Sequence, residues 1–92
     1  MGGVNDLAID PTGWFLATGS LDRCVIIWDL ELGESIYRLE EHAQSVCAVV
    51  WDPTGTRVAS GSRDKTVCIW DAMAGELSHV LKDRSGPIYA LV

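Results

Sequence analysis

Apolar residues in this chain fall into short runs, each rich in β-branched or aromatic residues and each bounded by turn-forming residues. Such runs predict strands rather than helices, which would need longer stretches of 3.6-residue periodicity. The first four are Val4 to Ile9, Trp14 to Ser20, Cys24 to Asp29 and Ser35 to Leu39, here called a, b, c and d. A second set follows at Val46 to Trp51, Arg57 to Ser62, Thr66 to Asp71 and Leu77 to Leu81. Asp-Pro-Thr-Gly joins a to b in both sets, with Pro and Gly where a tight type I turn favours them. The remaining connections are equally short, so neighbouring strands pair antiparallel as a meander. Strand c, Val25-Ile26-Ile27-Trp28, does not alternate apolar with polar, and neither does Val46-Cys47-Ala48-Val49-Val50-Trp51. Apolar side chains on both faces require each sheet to be sandwiched between two others.

The two sets are related by a constant offset of 42 positions, which carries ATGSLDRCVIIWD at 17–29 onto ASGSRDKTVCIWD at 59–71. Repetition at a period of this size marks solenoids, propellers or arrays. Stacked four-stranded antiparallel sheets of about this length are the blades of a β-propeller. The expected fold is therefore all-β: two propeller blades plus one extra strand. The N-terminal extension is 1–3, the first blade 4–45, the second 46–87, and 88–92 is the first strand of a further blade.

Composition narrows the options. With 48% hydrophobic and 22% charged residues the chain is globular rather than disordered. No apolar run reaches the roughly 18 residues that span a bilayer, and the start lacks the pattern of a secretory signal, so neither membrane nor export is expected. A net charge of −6 with scattered cations argues against nucleic acid as a partner. Cys24, Cys47 and Cys68 are odd in number and lack CxxC spacing. They read as buried, reduced thiols in the cytoplasm or nucleus, with no metal or cofactor expected.

Several letters carry a resemblance. Glu41-His42, Asp52-Pro53-Thr54-Gly55, Ala59 to Asp64 and Val67-Cys68-Ile69-Trp70-Asp71, in that order, resemble the WD-repeat pattern, and it extends over Val4 to Val92. The family pattern has Gly-His before strand a; here the Gly is Glu41, and the equivalent pair at the next occurrence is Asp83-Arg84. In such blades the resemblance implies a buried hydrogen-bonded chain from the Trp of strand c to a Ser or Thr of strand b, then to the His, then to the Asp of the b to c turn. Residue by residue these are Trp70, Ser60, His42 and Asp64, with Ser62 on the same face of strand b as an alternative to Ser60. The first blade has Thr18, Asp22 and Trp28 but no His.

Ser60, His42 and Asp64 are also the residue types of a Ser-His-Asp triad. Donor and acceptor inventories suit the structural chain, since Trp only donates, Ser and neutral His do both, and a carboxylate accepts. There is no Gly-x-Ser-x-Gly elbow to present a nucleophile. No catalytic role is expected.

The resemblance also implies that the d to a and b to c loops share a face that receives partner peptides. Its candidate residues are Leu21, Arg23, Ala43, Gln44, Ser45, Arg63 and Lys65. Leu21 stands where the second blade has Arg63, and the pair Trp14-Phe15 stands where it has Thr56-Arg57; the aromatic pair reads as cover for a blade edge, the alternative being an anchor for a partner. Two blades alone leave a bare sheet face at each end, roughly 300 Å² from strand spacing and rise. At about 25 cal/mol per Å², each such face forgoes about 5 to 8 kcal/mol of burial. A longer parent chain would cover these faces; so would two to four copies closing a ring of about 4 to 8 blades. The expected function is a non-catalytic scaffold for protein partners, the alternative a unit that self-assembles into a ring.

Overall fold

A computed structural model describes residues 3–82, and the extra strand expected at 88–92 lies outside the described residues. Eight strands follow in chain order: β1 (Val4–Ile9), β2 (Phe15–Ser20), β3 (Val25–Asp29), β4 (Glu34–Leu39), β5 (Val46–Trp51), β6 (Arg57–Ser62), β7 (Thr66–Asp71) and β8 (Glu76–Lys82). They form two antiparallel meanders, β1-β2-β3-β4 and β5-β6-β7-β8. Among the described residues no helix is long and apolar enough to cross a membrane.

The turns close as their composition demands. In both Asp-Pro-Thr-Gly turns the Gly N–H donates to the Asp carbonyl at 3.0 Å. The Asp side chains then cap the next strand: Asp10 Oδ1 accepts the Trp14 and Phe15 amides, and Asp52 Oδ1 those of Thr56 and Arg57. At Asp10 burial pushes the carboxyl pKa up, but these bonds and the Thr12 hydroxyl outweigh it and the net direction is down.

The core lies between the sheets. Ladder register places Ala8, Ala17, Ile27 and Tyr37 on one face of the first sheet, and Asp6, Gly19, Val25 and Leu39 beside them. On the second sheet Trp51, Val58 and Trp70 align, as do Val49, Ser60 and Cys68. These two faces meet, and Ala17, Val25, Ile27, Val46 and Val58 are at most 1% exposed. Gly19 is the point of closest approach: a Cβ there would lie 2.5 Å from Val46 Cγ1, so a side chain would push the sheets apart. Three hydrogen bonds tie β1 to β5, from Asn5 Nδ2 to the Val46 carbonyl (2.9 Å), from the Val49 amide to Asp6 Oδ2 (3.0 Å) and from Trp51 Nε1 to the Ala8 carbonyl (2.8 Å). Tyr37 lies over Gly75 and its hydroxyl donates to the Met73 carbonyl at 3.1 Å.

The outward face of the first sheet exposes Leu7 and Ile9 by more than half, and the far side of the second exposes Leu81 similarly. Phe15 packs against the core, but Trp14 is 67% exposed. The aromatic pair thus separates because Phe15 enters β2 while Trp14 stays in the preceding turn. Cys24 and Cys68 are buried, while Cys47 is half-buried.

Candidate functional site

Among the described residues, side chains from several elements combine in a buried polar chain in the second sheet and in a groove where loops of both sheets meet.

The polar chain begins on β7, where Trp70 Nε1 donates to Ser60 Oγ on β6 at 2.8 Å. Ser60 Oγ is 2.7 Å from His42 Nε2, and His42 Nδ1 is 3.1 Å from Asp64 Oδ2. Donor inventories set the direction. Indole can only donate, so the Ser60 hydroxyl accepts there and donates onward to Nε2; the imidazole proton is then on Nδ1 and points to the carboxylate. Thr66 Oγ1 lies 3.1 Å from the same nitrogen and donates its hydroxyl to Asp64 Oδ1 in a short bond. Asp64 also accepts the Ala43 amide at 2.8 Å and the Thr66 amide at 2.9 Å. Burial pushes the Asp64 carboxyl up, yet these bonds together hold its pKa below the usual carboxylate value.

The Ser60 hydroxyl is fully buried, accepts from Trp70 and donates to His42, so it is not presented to solution as a nucleophile. His42 meets the Trp70 ring edge-on at 69°, with centroids 6.5 Å apart. Cys68 Sγ lies 3.8 Å from His42 Nδ1, and burial pushes its thiol up to about 11. Among the described residues no buried side-chain nitrogen or oxygen lacks a partner, and no three His, Cys, Asp or Glu gather as metal ligands would.

The first sheet carries a shorter version. Trp28 Nε1 donates to Thr18 Oγ1 at 3.1 Å. Asp22 is not joined to them; it accepts a short bond from the Ser20 hydroxyl and faces the Arg38 guanidinium at 3.5 Å.

The groove, of about 330 Å³, is lined by Asn5, Leu21, Ser45, Cys47 and Arg63. It sits at the end of the molecule that carries the β2–β3 and β6–β7 turns together with the β4–β5 connection. Leu21 is 56% exposed, although its amide is tied to the Gly3 carbonyl. Arg63 is likewise exposed and its amide donates to the Ser45 carbonyl, leaving the guanidinium to solvent. Arg23, Ala43, Gln44 and Lys65 are exposed at the same end. A larger cavity of about 520 Å³ opens beside the polar chain, between Ala43, Lys65, Val80 and Lys82, with Glu41 and Asp64 also in its wall.

Residues 1–29 and 33–71 match the family model described as WD domain, G-beta repeat. The chain belongs to the WD-repeat family. Ribosome biogenesis protein ERB1 of Candida glabrata is 49% identical over 39 residues, covering 42% of this chain and 5% of that protein. WD repeat and HMG-box DNA-binding protein 1 of Xenopus laevis is 33% identical over 49 residues, 52% of this chain and 4% of that one. The chain thus spans only a small part of these relatives. The β-propeller domain of Cps50 (Swd1) from Myceliophteria thermophila superposes over 98% of this chain and 28% of its own, with a TM-score of 0.90 and 28% identity. The two four-stranded sheets are accordingly two blades of a WD-repeat propeller.

Within these WD blades Ser60, not Ser62, contacts the imidazole. Ser62 Oγ donates to the Ser45 carbonyl at 2.9 Å and accepts the Asp64 amide at 3.1 Å, pinning the β4–β5 connection to the β6–β7 turn. Two partners of Asp64, the Ala43 amide and Thr66, escaped sequence reasoning. A backbone amide carries no side-chain letter, but the Asp-x-Thr spacing of 64–66 is that of a local side-chain turn and could have flagged Thr66. Asn5 and Cys47 in the groove were also missed; both are interior positions of predicted strands that reach the loop end.

Proposed function

We propose that this chain is a non-catalytic interaction scaffold, two WD blades spanning 4–45 and 46–87 that hold a loop face toward protein partners. The observation that carries this reading is the contrast between what the two blades share and what they do not. Turn and sheet positions repeat at the 42-residue offset, whereas Leu21 and Arg63 differ, stand exposed and line one groove. In this reading His42, Ser60, Asp64 and Trp70 hold the second blade together and position the loops, with Thr18 and Trp28 a reduced counterpart. Leu21, Arg23, Ala43, Gln44, Ser45, Arg63 and Lys65 are the contact residues. The relatives named for ribosome biogenesis and for DNA binding fit a nuclear location as readily as a cytoplasmic one. Affinity capture from cells tests the assignment: Leu21→Ser and Arg63→Ala should each lose co-purifying proteins at unchanged melting temperature. An unaltered set of captured proteins refutes it.

A second reading is favoured by the bare sheet faces. Leu7 and Ile9 on one end blade and Leu81 on the other present apolar surface suited to a further blade. Copies of this chain could supply that blade and close a ring of two to four chains. Light scattering of the purified chain decides it: an even-bladed oligomer of fixed mass supports assembly, and a monomer refutes it.

A further inference from the structure

Charge is distributed unevenly between the two ends of the blades. The end formed by the Asp-Pro-Thr-Gly turns and the β3–β4 and β7–β8 connections carries seven carboxylates, among them Asp29, Glu31, Asp71 and Glu76, against one cation, Arg57. The net charge of −6 resides there. At the opposite end the five cations Arg23, Arg38, Arg63, Lys65 and Lys82 balance Asp6, Asp22, Glu40, Glu41 and Asp64, and Asp6 is engaged by the Val49 amide. Those carboxylates are largely committed: Asp22 and Glu40 both face Arg38, at 3.5 and 3.4 Å, and Asp64 is saturated by His42, Thr66 and Ala43. Among the described residues Arg23, Arg63, Lys65 and Lys82 make no salt bridge.

The groove lies at this less acidic end and has no carboxylate in its lining, unlike the larger cavity walled by Glu41 and Asp64. Its two protruding side chains are chemically unlike: Leu21 offers an apolar surface and Arg63 an unpaired guanidinium. Asn5 and Ser45 form polar walls, and the Asn5 amide group is anchored on the Val46 carbonyl at 2.9 Å, so the base is preorganised rather than mobile. The volume is at the low end for a small-molecule pocket and suits side chains of an extended segment better than a cofactor.

We propose that this groove receives an acidic segment of a protein partner, with an apolar side chain of the segment lying on Leu21 and a carboxylate paired with Arg63. The inference rests on the scaffold reading above and adds the chemistry of the partner. A short acidic segment gains from cations that make no salt bridge among the described residues, while the carboxylates at the far end are separated from it by the length of the strands and screened by salt. A long polyanion such as nucleic acid would reach the far end and meet that repulsion.

Fluorescence anisotropy of the 92-residue chain tests this with four labelled probes: a short peptide of Glu, Gly and Ser with one central Leu, the same peptide with Lys for Glu, the Glu peptide with Gly for Leu, and single-stranded DNA of similar length. The Glu–Leu peptide should bind best, and weaken as salt rises. Arg63→Glu should weaken it about tenfold by replacing attraction with repulsion. Leu21→Ser or loss of the peptide Leu should weaken it about fivefold through lost apolar contact. Arg57→Glu, at the far end, should change nothing. Tighter binding of the Lys peptide, if abolished by Leu21→Ser, overturns the acidic assignment but leaves the groove a partner site. Tighter binding of DNA, or no response of any probe to either groove substitution, overturns the proposal; the cellular capture experiment then judges the scaffold reading separately.

Discussion

Replacing His42 with Ala probes the polar chain most directly, and the structure sets the size of the effect. Asp64 would retain the Ala43 amide, the Thr66 amide and the Thr66 hydroxyl, so its carboxylate would not be stranded. Trp70 would keep its bond to Ser60. The loss falls on the Ser60 hydroxyl proton, left without an acceptor where the residue is fully buried; an unpaired buried donor costs about 1–3 kcal/mol. Loss of the edge-on contact with Trp70 adds about 0.5–1.5 kcal/mol. The expected total is about 2–4 kcal/mol, which for a chain of this size lowers Tm by about 10 °C or more. Circular dichroism melts at neutral pH measure it, with His79→Ala on exposed β8 as the control. Ser60→Ala should be comparably harmful, because it strands Trp70 Nε1 and His42 Nε2 together. The double variant should fall short of the sum of the singles by about 1 kcal/mol, since one bond cannot be lost twice. A His42→Ala melt within about 2 °C of the parent, or strict additivity, would refute a connected chain.

Other expectations are independent of His42. Gly33 and Gly75 occupy equivalent turns with φ of 70° and 69°, yet a Cβ at Gly33 meets open space and one at Gly75 runs into the Tyr37 ring. Gly33→Ala should cost about 1 kcal/mol for the left-handed backbone, and Gly75→Ala distinctly more, read as paired urea midpoints. The lowered pKa of Asp64 means its folded form binds a proton less readily than the unfolded chain. The stability it contributes is therefore present above the unfolded carboxylate pKa of about 4 and lost as pH falls through the lower folded value. Unfolding free energy measured across acid pH should decline less steeply in Asp64→Asn than in the parent. Burial raises the thiol pKa of both Cys24 and Cys68, so an aromatic disulfide reagent at mildly alkaline pH should label Cys47 first and the other two only at the rate of unfolding.

Strand positions were legible because each apolar run is punctuated by turn residues at a fixed repeat. The discrepancies are single residues: β2 and β3 begin at Phe15 and Val25 rather than Trp14 and Cys24, β4 and β8 at Glu34 and Glu76 rather than Ser35 and Leu77, and β8 ends at Lys82 rather than Leu81. Glu34 and Glu76 have low strand propensity, and the ladder extends to them opposite Asp29 and Asp71 despite the like charges. The ties between blades were illegible for a different reason. They join positions that are not equivalent in the repeat, such as Trp51 to the Ala8 carbonyl and Asp6 to the Val49 amide, and half of each bond is main chain. Arg23 and Lys65 adopt φ of 76° and 70°, left-handed values that no Gly or Asn announced. The partners of His42 were readable only through family resemblance, since Ser60 and Ser62 look alike until the register of β5 and β6 is known.

The segregation of charge gives the molecule a permanent electric dipole along its strands, and this governs how it lands on a charged surface. On an amine-coated sensor or an anion-exchange resin it should settle acidic end down, presenting the Leu21 and Arg63 loops to solution. On a carboxylated matrix it should turn over and hide them. The same preparation would thus look competent on one support and inert on the other, with no change in its fold.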